Sequence, residues 1–383
     1  MRVLILGGRA PVALDHARRF AAQGWTVYVA DSIPCRISGW SRSVTQTIQL
    51  PSPRDALPSF AVALAKIIES EHIDLVLPTC EEVFYLGRIR HLLPASCNVF
   101  VAPFEQLSEL HSKWRFLQLA KDCGVDVPVS ERVMHLGAAR EWAQKRPVVL
   151  KPEFSRFGVH VRIYPEGIPG DAPALPELGR WVVQEFHRGT EICSYSIAVA
   201  GRLCAHVAYR PSYRLASSSS YYFDPVSMPR IEQFVERFVA RIGFTGQISF
   251  DWIDGGDGRL AVLECNPRAI SGLHLFEMAD ALPAVIAGQS SERIAPASLS
   301  PRMLAGVMLA VGVPTAVARS SVGKWHADWS RATDVLSVSG DSRPYAGALL
   351  DMASFLRLAI KNRSTMRAAA TRDIEWDGET LHE

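Results

Sequence analysis

Residues 246–268 read GQISFDWIDGGDGRLAVLECNPR. Two apolar runs, each alternating with period two, flank a turn rich in Asp and Gly, which is the pattern of a β-hairpin. With Asp257-Gly258 as a two-residue loop, residue 256 pairs with 259, and counting back sets Asp251 directly opposite Glu264. Any other two-residue loop slips the register by two and keeps both acids on one face. Asn266, two residues past Glu264, joins them on that face.

Two carboxylates about 5 Å apart across a ladder repel one another and weaken a bare sheet. A hard cation resolves the conflict: Asp, Glu and an Asn amide oxygen are ligands that Mg²⁺ accepts when substrate phosphates also hold it. The alternative from spacing alone is a solvated hairpin face with both acids pointing into water. Arg268 favours the metal and phosphate arrangement, because a guanidinium there could hold phosphate or acyl-phosphate oxygens.

Working outward, the first hundred residues alternate strand and helix. Arg2 to Leu6 is an apolar run ending in Gly7-Gly8, a helix follows through Leu14 and Arg18 to a stop at Gly24, and Trp25 to Ala30 is a second strand. A helix with Phe60, Leu64, Ile67 and Ile68 on one face leads to a third strand at Asp74 to Leu77. This rhythm predicts a doubly wound, mostly parallel α/β sheet. The loop GGRAP after the first strand, with Asp31 closing the second, invites a dinucleotide reading. It lacks the G-x-G-x-x-G spacing, however, and Pro11 intrudes, so a loop touching another anionic or carboxylate ligand, or a plain turn, fits better.

From about residue 104 the pattern changes. A short helix through Trp114, Leu117 and Ala120 ends at Gly124. Strands are expected at Val148 to Leu150 and at Trp181 to Gln184, and Ile231, Phe234, Val235, Phe238, Val239 and Ile242 form a helical core stripe closed by Gly243. Ser217 to Ser220 reads as a mobile loop. Residues 320 to 383 form a more polar tail, with one amphipathic helix through Leu349, Met352 and Leu356.

Composition narrows the function. The 383 residues leave room for two or three cores. With 41 Lys and Arg against 39 acids, a net charge of +2 gives no electrostatic case for nucleic acid or an anionic membrane as partner, which leaves small-molecule chemistry. The seven cysteines are scattered without a C-x-x-C pair, so they read as reduced thiols. The start Met1-Arg2-VLIL lacks the pattern of a signal peptide. The longest uncharged run, Met303 to Ala318, is too short for a membrane span and is read as a buried strand and turn. A cytoplasmic protein that does not span a membrane is expected.

At this point the sequence resembles the ATP-grasp ligases over roughly residues 1 to 290. An acid, a twelve-residue gap and then E-x-N match the family's magnesium signature at Asp251, Glu264 and Asn266, and NPR resembles the carbamoyl phosphate synthetase branch. The resemblance implies an N-terminal parallel α/β domain (1–103), two ATP-clasping lobes of α+β character (104–190 and 191–300) and a C-terminal extension (301–383). Lys113 in HSKW and Lys151 ending VVLK look like the family's two nucleotide lysines. WVVQEFHRGTE resembles the adenine hinge, so Gln184, Glu185 and Phe186 would meet adenine and Glu191 the ribose.

In IDLVLPTCEE, Glu81 or Glu82 would lie near the cleft, unless it is a helix-start acid favoured by the macrodipole. Arg210 and Arg214 would belong to a loop closing on the γ-phosphate or substrate, unless they are exposed strand-end arginines. The phosphate-covering loop PEFSRFGVHV departs from the glycine-rich form, with Gly158 alone and Arg156 and Phe157 where small residues are common; Arg156 would then supply a side-chain contact. Ser271, Gly272 and His274 are candidates for the substrate pocket, with His274 a possible base or a structural histidine.

The implied activity is that of a carboxylate-amine ligase using ATP and Mg²⁺ (or Mn²⁺), with small carboxylates and amines, amino acids among them, as substrates. The rivals are an ATP-dependent carboxylase or carbamoyl-phosphate-type enzyme, and a non-catalytic nucleotide-binding partner protein. The tail after residue 300 would complete the pocket or mediate a homodimer.

Overall fold

The computed structural model describes residues 1–156, 160–176, 179–215 and 219–382. The N-terminal sheet is parallel and five-stranded. Its strands are β1 (Arg2–Leu6), β2 (Thr26–Asp31), β3 (Gln46–Gln49), β4 (Leu75–Leu77) and β5 (Asn98–Val99), in the order β3-β2-β1-β4-β5. Two of its strands escape the sequence pattern: β3 is a polar edge strand, QTIQ, with no residue buried, and β5 is only two residues long. Pro11 opens the helix Pro11–Ala22, where a missing backbone N–H costs nothing. Gly7 is left-handed at φ +76°, and a Cβ there would sit 2.6 Å from Thr79 Oγ1. The glycine loop is thus required by close packing between β1 and the turn after β4.

The second sheet is β6 (Ser130–Val133), β7 (Val148–Pro152), β8 (Arg162–Tyr164) and β9 (Trp181–Glu185), in the order β6-β9-β7-β8. The third has seven strands, ordered β14-β13-β10-β11-β12-β15-β16. They are β10 (Thr190–Val199), β11 (Arg202–Leu215), β12 (Ser219–Val226), β13 (Gly246–Asp254), β14 (Leu260–Asn266), β15 (Arg302–Met303) and β16 (Thr333–Asp334). The helix Pro229–Ile242 buries its apolar stripe against this sheet: Phe234 packs edge-on to Phe250 and Trp252, and Phe238 to Phe250. Gly243 ends that helix in the left-handed conformation at φ +62°.

The hairpin β13-β14 pairs Asp251 with Glu264 as the sequence predicts, although the connection differs. Asp254 pairs with Leu260, so the loop is residues 255–259, closed by Gly255 N–H to Arg259 O at 2.9 Å. That loop alone would offset the register by one. A bulge restores it, since Trp252 pairs with Val262 and Asp251 with Glu264, leaving Leu263 as the extra residue.

The C-terminal region departs furthest from expectation. Met303 to Ala318 is not a buried strand and turn: after β15 the chain runs through helical turns at Ala305–Val307, Met308–Gly312 and Val313–Ala318, with Leu309 and Val317 exposed. The helix Arg343–Lys361 is present, but Leu349, Met352 and Leu356 are 63%, 49% and 49% exposed, while Pro344, Gly347, Asp351 and Ala359 are buried. Gly347 lies against the backbone of Arg36, where a Cβ would be 2.4 Å from its carbonyl oxygen. Ser219 and Ser220 begin β12 rather than a loop; Ser217 and Ser218 lie outside the described residues.

The final residues return to the N-terminal domain. Arg9, from the GGRAP loop, is held between Asp31 and Asp373 and donates to Ala370 O at 2.7 Å. The carboxylates met by this loop are the chain's own, and Asp31 is spent on Arg9 rather than open to a ribose. Among the described residues all seven cysteines are free, and no helix is long and apolar enough to cross a membrane.

Three histidines are buried without a charge partner. Burial is the main cause holding His16 down at about 4 and His111 and His206 at about 3. Their folded values lie below the unfolded one, so the stability they permit is present above about pH 6.5 and is lost as pH falls towards these values. Between about pH 7 and pH 5 each costs on the order of 1–2 kcal/mol. Thermal melts should therefore shift down over this range, and His206→Gln should flatten the slope; an unchanged slope would contradict neutral burial.

Candidate nucleotide and metal site

The site lies where the two antiparallel sheets meet. Asp251 faces Glu264 on one side and Cys193 on the other, and Tyr209 follows opposite Cys193, so these four side chains form one row across the sheet. Asn266 pairs with Ser249, two residues from Asp251 and on the same face.

Two lysines approach the row from the other elements. Lys113 sits just ahead of the helix Arg115–Asp122, with its ammonium 2.7 Å from Ser155 O and 4.0 Å from Glu264 Oε2. Its loop is latched to the end of β7: Lys113 N–H donates to Glu153 O at 3.1 Å, and Ser112 Oγ donates to Glu153 Oε1 at 2.6 Å. Lys151, on β7, reaches across to 3.5 Å from Leu263 O, the carbonyl of the bulged residue. Both lysines are buried.

The electrostatics follow. Burial, then the charge of Glu264, push the Asp251 carboxyl well above the usual range. Burial would raise Glu264 too, but Lys113 and Lys151 outweigh it and hold that carboxylate low. Burial lowers Lys151 to about 8, with Lys113 adding to the effect and Glu264 opposing it. The arrangement is one carboxylate balanced by two buried cations beside a second acid that is short of positive charge.

Among the described residues no group of three or more His, Cys, Asp and Glu side chains could hold a metal by itself. Two carboxylates and one amide are an incomplete cage, which suits an ion that keeps water and phosphate oxygens in its shell. Asp251, Glu264 and Asn266 therefore fit Mg²⁺ brought with a nucleotide.

Around this centre, Glu81 is 1% exposed and lies between two guanidinium groups, 3.3 Å from Arg156 and 3.4 Å from Arg268. Arg268 also donates to Asn266 Oδ1 at 3.2 Å, which ties Glu81 to the face that carries Asp251 and Glu264. Glu82 serves the local turn instead, accepting from the backbone N–H groups of Thr79 and Cys80 at 2.8 and 2.9 Å. On β9, Gln184 is buried and donates to Ser130 Oγ at 3.1 Å, whereas Glu185 is exposed beside His187. Phe186 N–H donates to Pro147 O at 3.1 Å.

Glu191 and Arg214, expected at opposite ends of a nucleotide, are ion-paired with each other. Tyr213 adopts φ +53°, which breaks the alternation of β11 just before Arg214. Arg210 is exposed and, by alternation, shares the face of Ala208, opposite to that of Tyr209 and Asp251; the structure does not bring it to the row. Gly272 is packed against Tyr195, where a Cβ would be 2.5 Å from the tyrosine Cβ. His274 is buried, 2.7 Å from Asp15, a carboxylate shared with Arg19, while Ser271 is partly exposed. Gly158 and Phe157 lie outside the described residues.

Sequence reasoning passed over Glu153, which positions Lys113, because a lone acid after a strand carries no spacing signal. It also passed over the last dozen residues, where Trp376 packs on Phe84, Phe104, Phe154 and His111. Their only sequence signal is one tryptophan in a polar run.

No sequence-family model matches the chain, and no curated protein matches it in sequence. Solved structures do. An L-amino acid ligase from Bacillus licheniformis aligns with TM-score 0.59 and 14% identity over 79% of each chain. N5-carboxyaminoimidazole synthetase from Staphylococcus aureus, complexed with ADP, aligns with TM-score 0.60 and 15% identity over 82% of this chain and 85% of that one. Phosphoribosylamine–glycine ligase from Thermotoga maritima aligns with TM-score 0.58 and 18% identity over 79% and 78%. At these identities the likeness is one of architecture, and the chain has the ATP-grasp fold.

Proposed function

We propose that the protein is an ATP-dependent carboxylate-amine ligase. The observation that carries this reading is the paired acids Asp251 and Glu264 with two buried lysines converging on them. Phosphoryl transfer to a carboxylate needs positioning and charge neutralisation more than covalent help from the protein. Lys113 and Lys151 would hold phosphate oxygens, Gln184, Glu185 and Phe186 would line the adenine end, and Arg268 would steady the carboxylate and the acyl phosphate made from it. Mg²⁺, or Mn²⁺, held by Asp251, Glu264 and Asn266 would neutralise the charge that develops on the phosphoryl group. Attack of an amine on the acyl phosphate then gives an amide, with phosphate and ADP released. Glu81 fixes Arg156 and Arg268 relative to each other, and Arg156 stands in for the backbone amides of a glycine-rich loop.

The structural likeness to N5-carboxyaminoimidazole synthetase supports a second reading, ATP-dependent carboxylation, in which bicarbonate is the carboxylate. An ADP-release screen crossing small carboxylates and amino acids with amines, run with and without bicarbonate, separates the two. Ligase activity appears with a carboxylate and amine pair in bicarbonate-free buffer, whereas an absolute bicarbonate requirement favours the carboxylase.

Two substitutions test the site. Glu264→Gln should cut ADP release by about 100-fold or more; retained turnover would remove the assignment. Asp251→Asn mimics the neutral form that burial already favours, so the metal-free protein should melt within a few degrees of the unaltered one. It should nevertheless lose the stabilisation by Mg·ATP, which at about 100 times Kd amounts to about 2.7 kcal/mol in the unaltered protein. Undiminished stabilisation of the variant would contradict a metal-binding Asp251.

A further inference from the structure

A cavity of about 130 Å³ lies between three distant parts of the chain: the helix Pro11–Ala22, the turn Ser271–Leu275 with the residues after it, and strands β15 and β16 with the residues that follow. In the strand order β15 is four ladder steps from β13, which at a spacing of about 4.8 Å is about 19 Å along the sheet from Asp251. Tyr209 and Phe223, packed edge to face and buried, stand between the two places. The cavity is therefore separate from the row that carries Asp251 and Glu264.

Its guanidinium groups are matched to carboxylates. Arg19 Nε donates to Asp15 Oδ1 at 2.6 Å, Arg302 Nη2 to Glu277 Oε1 at 2.7 Å and Arg18 Nε to Asp341 Oδ2 at 2.9 Å. Other polar atoms on the wall are unspent. Arg302 Nε is buried with no hydrogen-bond partner among the described residues. His274, its side chain only 3% exposed, has Nδ1 2.7 Å from Asp15 Oδ2 and no partner for Nε2 among the described residues. Glu277 Oε2 has none there either, since Arg302 and Ser298 both donate to Oε1. Asp15, ion-paired with Arg19, only accepts, so the His274 nitrogen facing it carries hydrogen and Nε2 of the neutral ring is an acceptor. The cavity thus presents a buried donor with two acceptors, and an unmet buried N–H costs free energy that a ligand recovers.

A wall whose charges already cancel gains little from a bare anion or a bare cation, and suits a molecule that carries both signs. Size sets a second limit: a cavity of roughly 150 Å³ takes a benzene ring, so this one takes about six non-hydrogen atoms. Phe276 and Val335 supply an apolar side to it. We infer that the cavity is a second small-molecule site and that it takes a small α-amino acid, with the carboxylate on Arg302 Nε–H and the ammonium group between His274 Nε2 and Glu277 Oε2. The inference goes beyond the ligase reading and does not depend on it, because a ligand held here is too far from Asp251 to be the group that reacts.

The full-length protein, without nucleotide or divalent metal, is titrated calorimetrically with glycine, L-alanine and L-serine, and with acetate and methylammonium as ligands of one sign. At least one amino acid should bind, and both single-sign ions should bind it roughly tenfold more weakly or not at all. His274→Asn keeps an amide N–H for Asp15 and removes Nε2, so it should weaken the amino acid roughly tenfold or more. Val338→Phe fills the cavity from a wall residue that is 37% exposed, and should abolish binding with little effect on the melting temperature. Stabilisation by Mg·ATP should be the same in both variants as in the unaltered protein.

The inference is overturned if none of the three amino acids binds the unaltered protein, if acetate or methylammonium binds as tightly, or if either folded variant binds as the unaltered protein does. Where His274→Asn does not fold, Val338→Phe decides alone. Amino-acid binding lost in these variants from a protein that releases no ADP upholds the second site and removes only the ligase reading.

Discussion

The structure turns on a repulsion. Asp251 and Glu264 are set directly opposite each other in an antiparallel ladder, a placement that costs free energy unless a cation shares it. Two buried lysines supply part of the compensation and come from separate elements: Lys113 from a loop latched to Glu153, and Lys151 from a strand of the other sheet. The like-charge pair therefore sits where the two antiparallel sheets meet, and under the proposed function a divalent ion and phosphate would complete the compensation.

The bulge at Leu263 serves both ends of this arrangement. It restores the pairing that the five-residue loop would have shifted, and it leaves a carbonyl that Lys151 approaches. A one-residue slip would turn Glu264 to the opposite face of the sheet, among the aromatic rings that pack the helix Pro229–Ile242. Burial of an unpaired carboxylate there is prohibitive, so core packing and site geometry enforce the same register.

The sequence disclosed what periodicity and spacing encode. Alternation in residues 246–268 was enough to place Asp251 against Glu264, although the turn proposed for it was a different one. The helical stripe from Ile231 to Val239 and the strands β1, β2 and β4 were legible because each buries a regular pattern. Strand β3 was not, since an exposed polar edge strand has no pattern to read. The Arg9 clasp on Asp373 joins residues 364 positions apart, and the pairing of Arg214 with Glu191 depends on a local break in β11. Neither leaves a trace in local sequence. The helix Arg343–Lys361 was found for its apolar positions, yet it buries a different set against the chain around Arg36.

The most direct measurement of the central claim is a crystal structure of the protein with Mn²⁺ and β,γ-imido-ATP, using anomalous scattering to locate the metal. An anomalous peak bounded by Asp251, Glu264 and Asn266 is expected, with the ammonium groups of Lys113 and Lys151 on phosphate oxygens. A nucleotide bound elsewhere, or a metal held without either carboxylate, would contradict it.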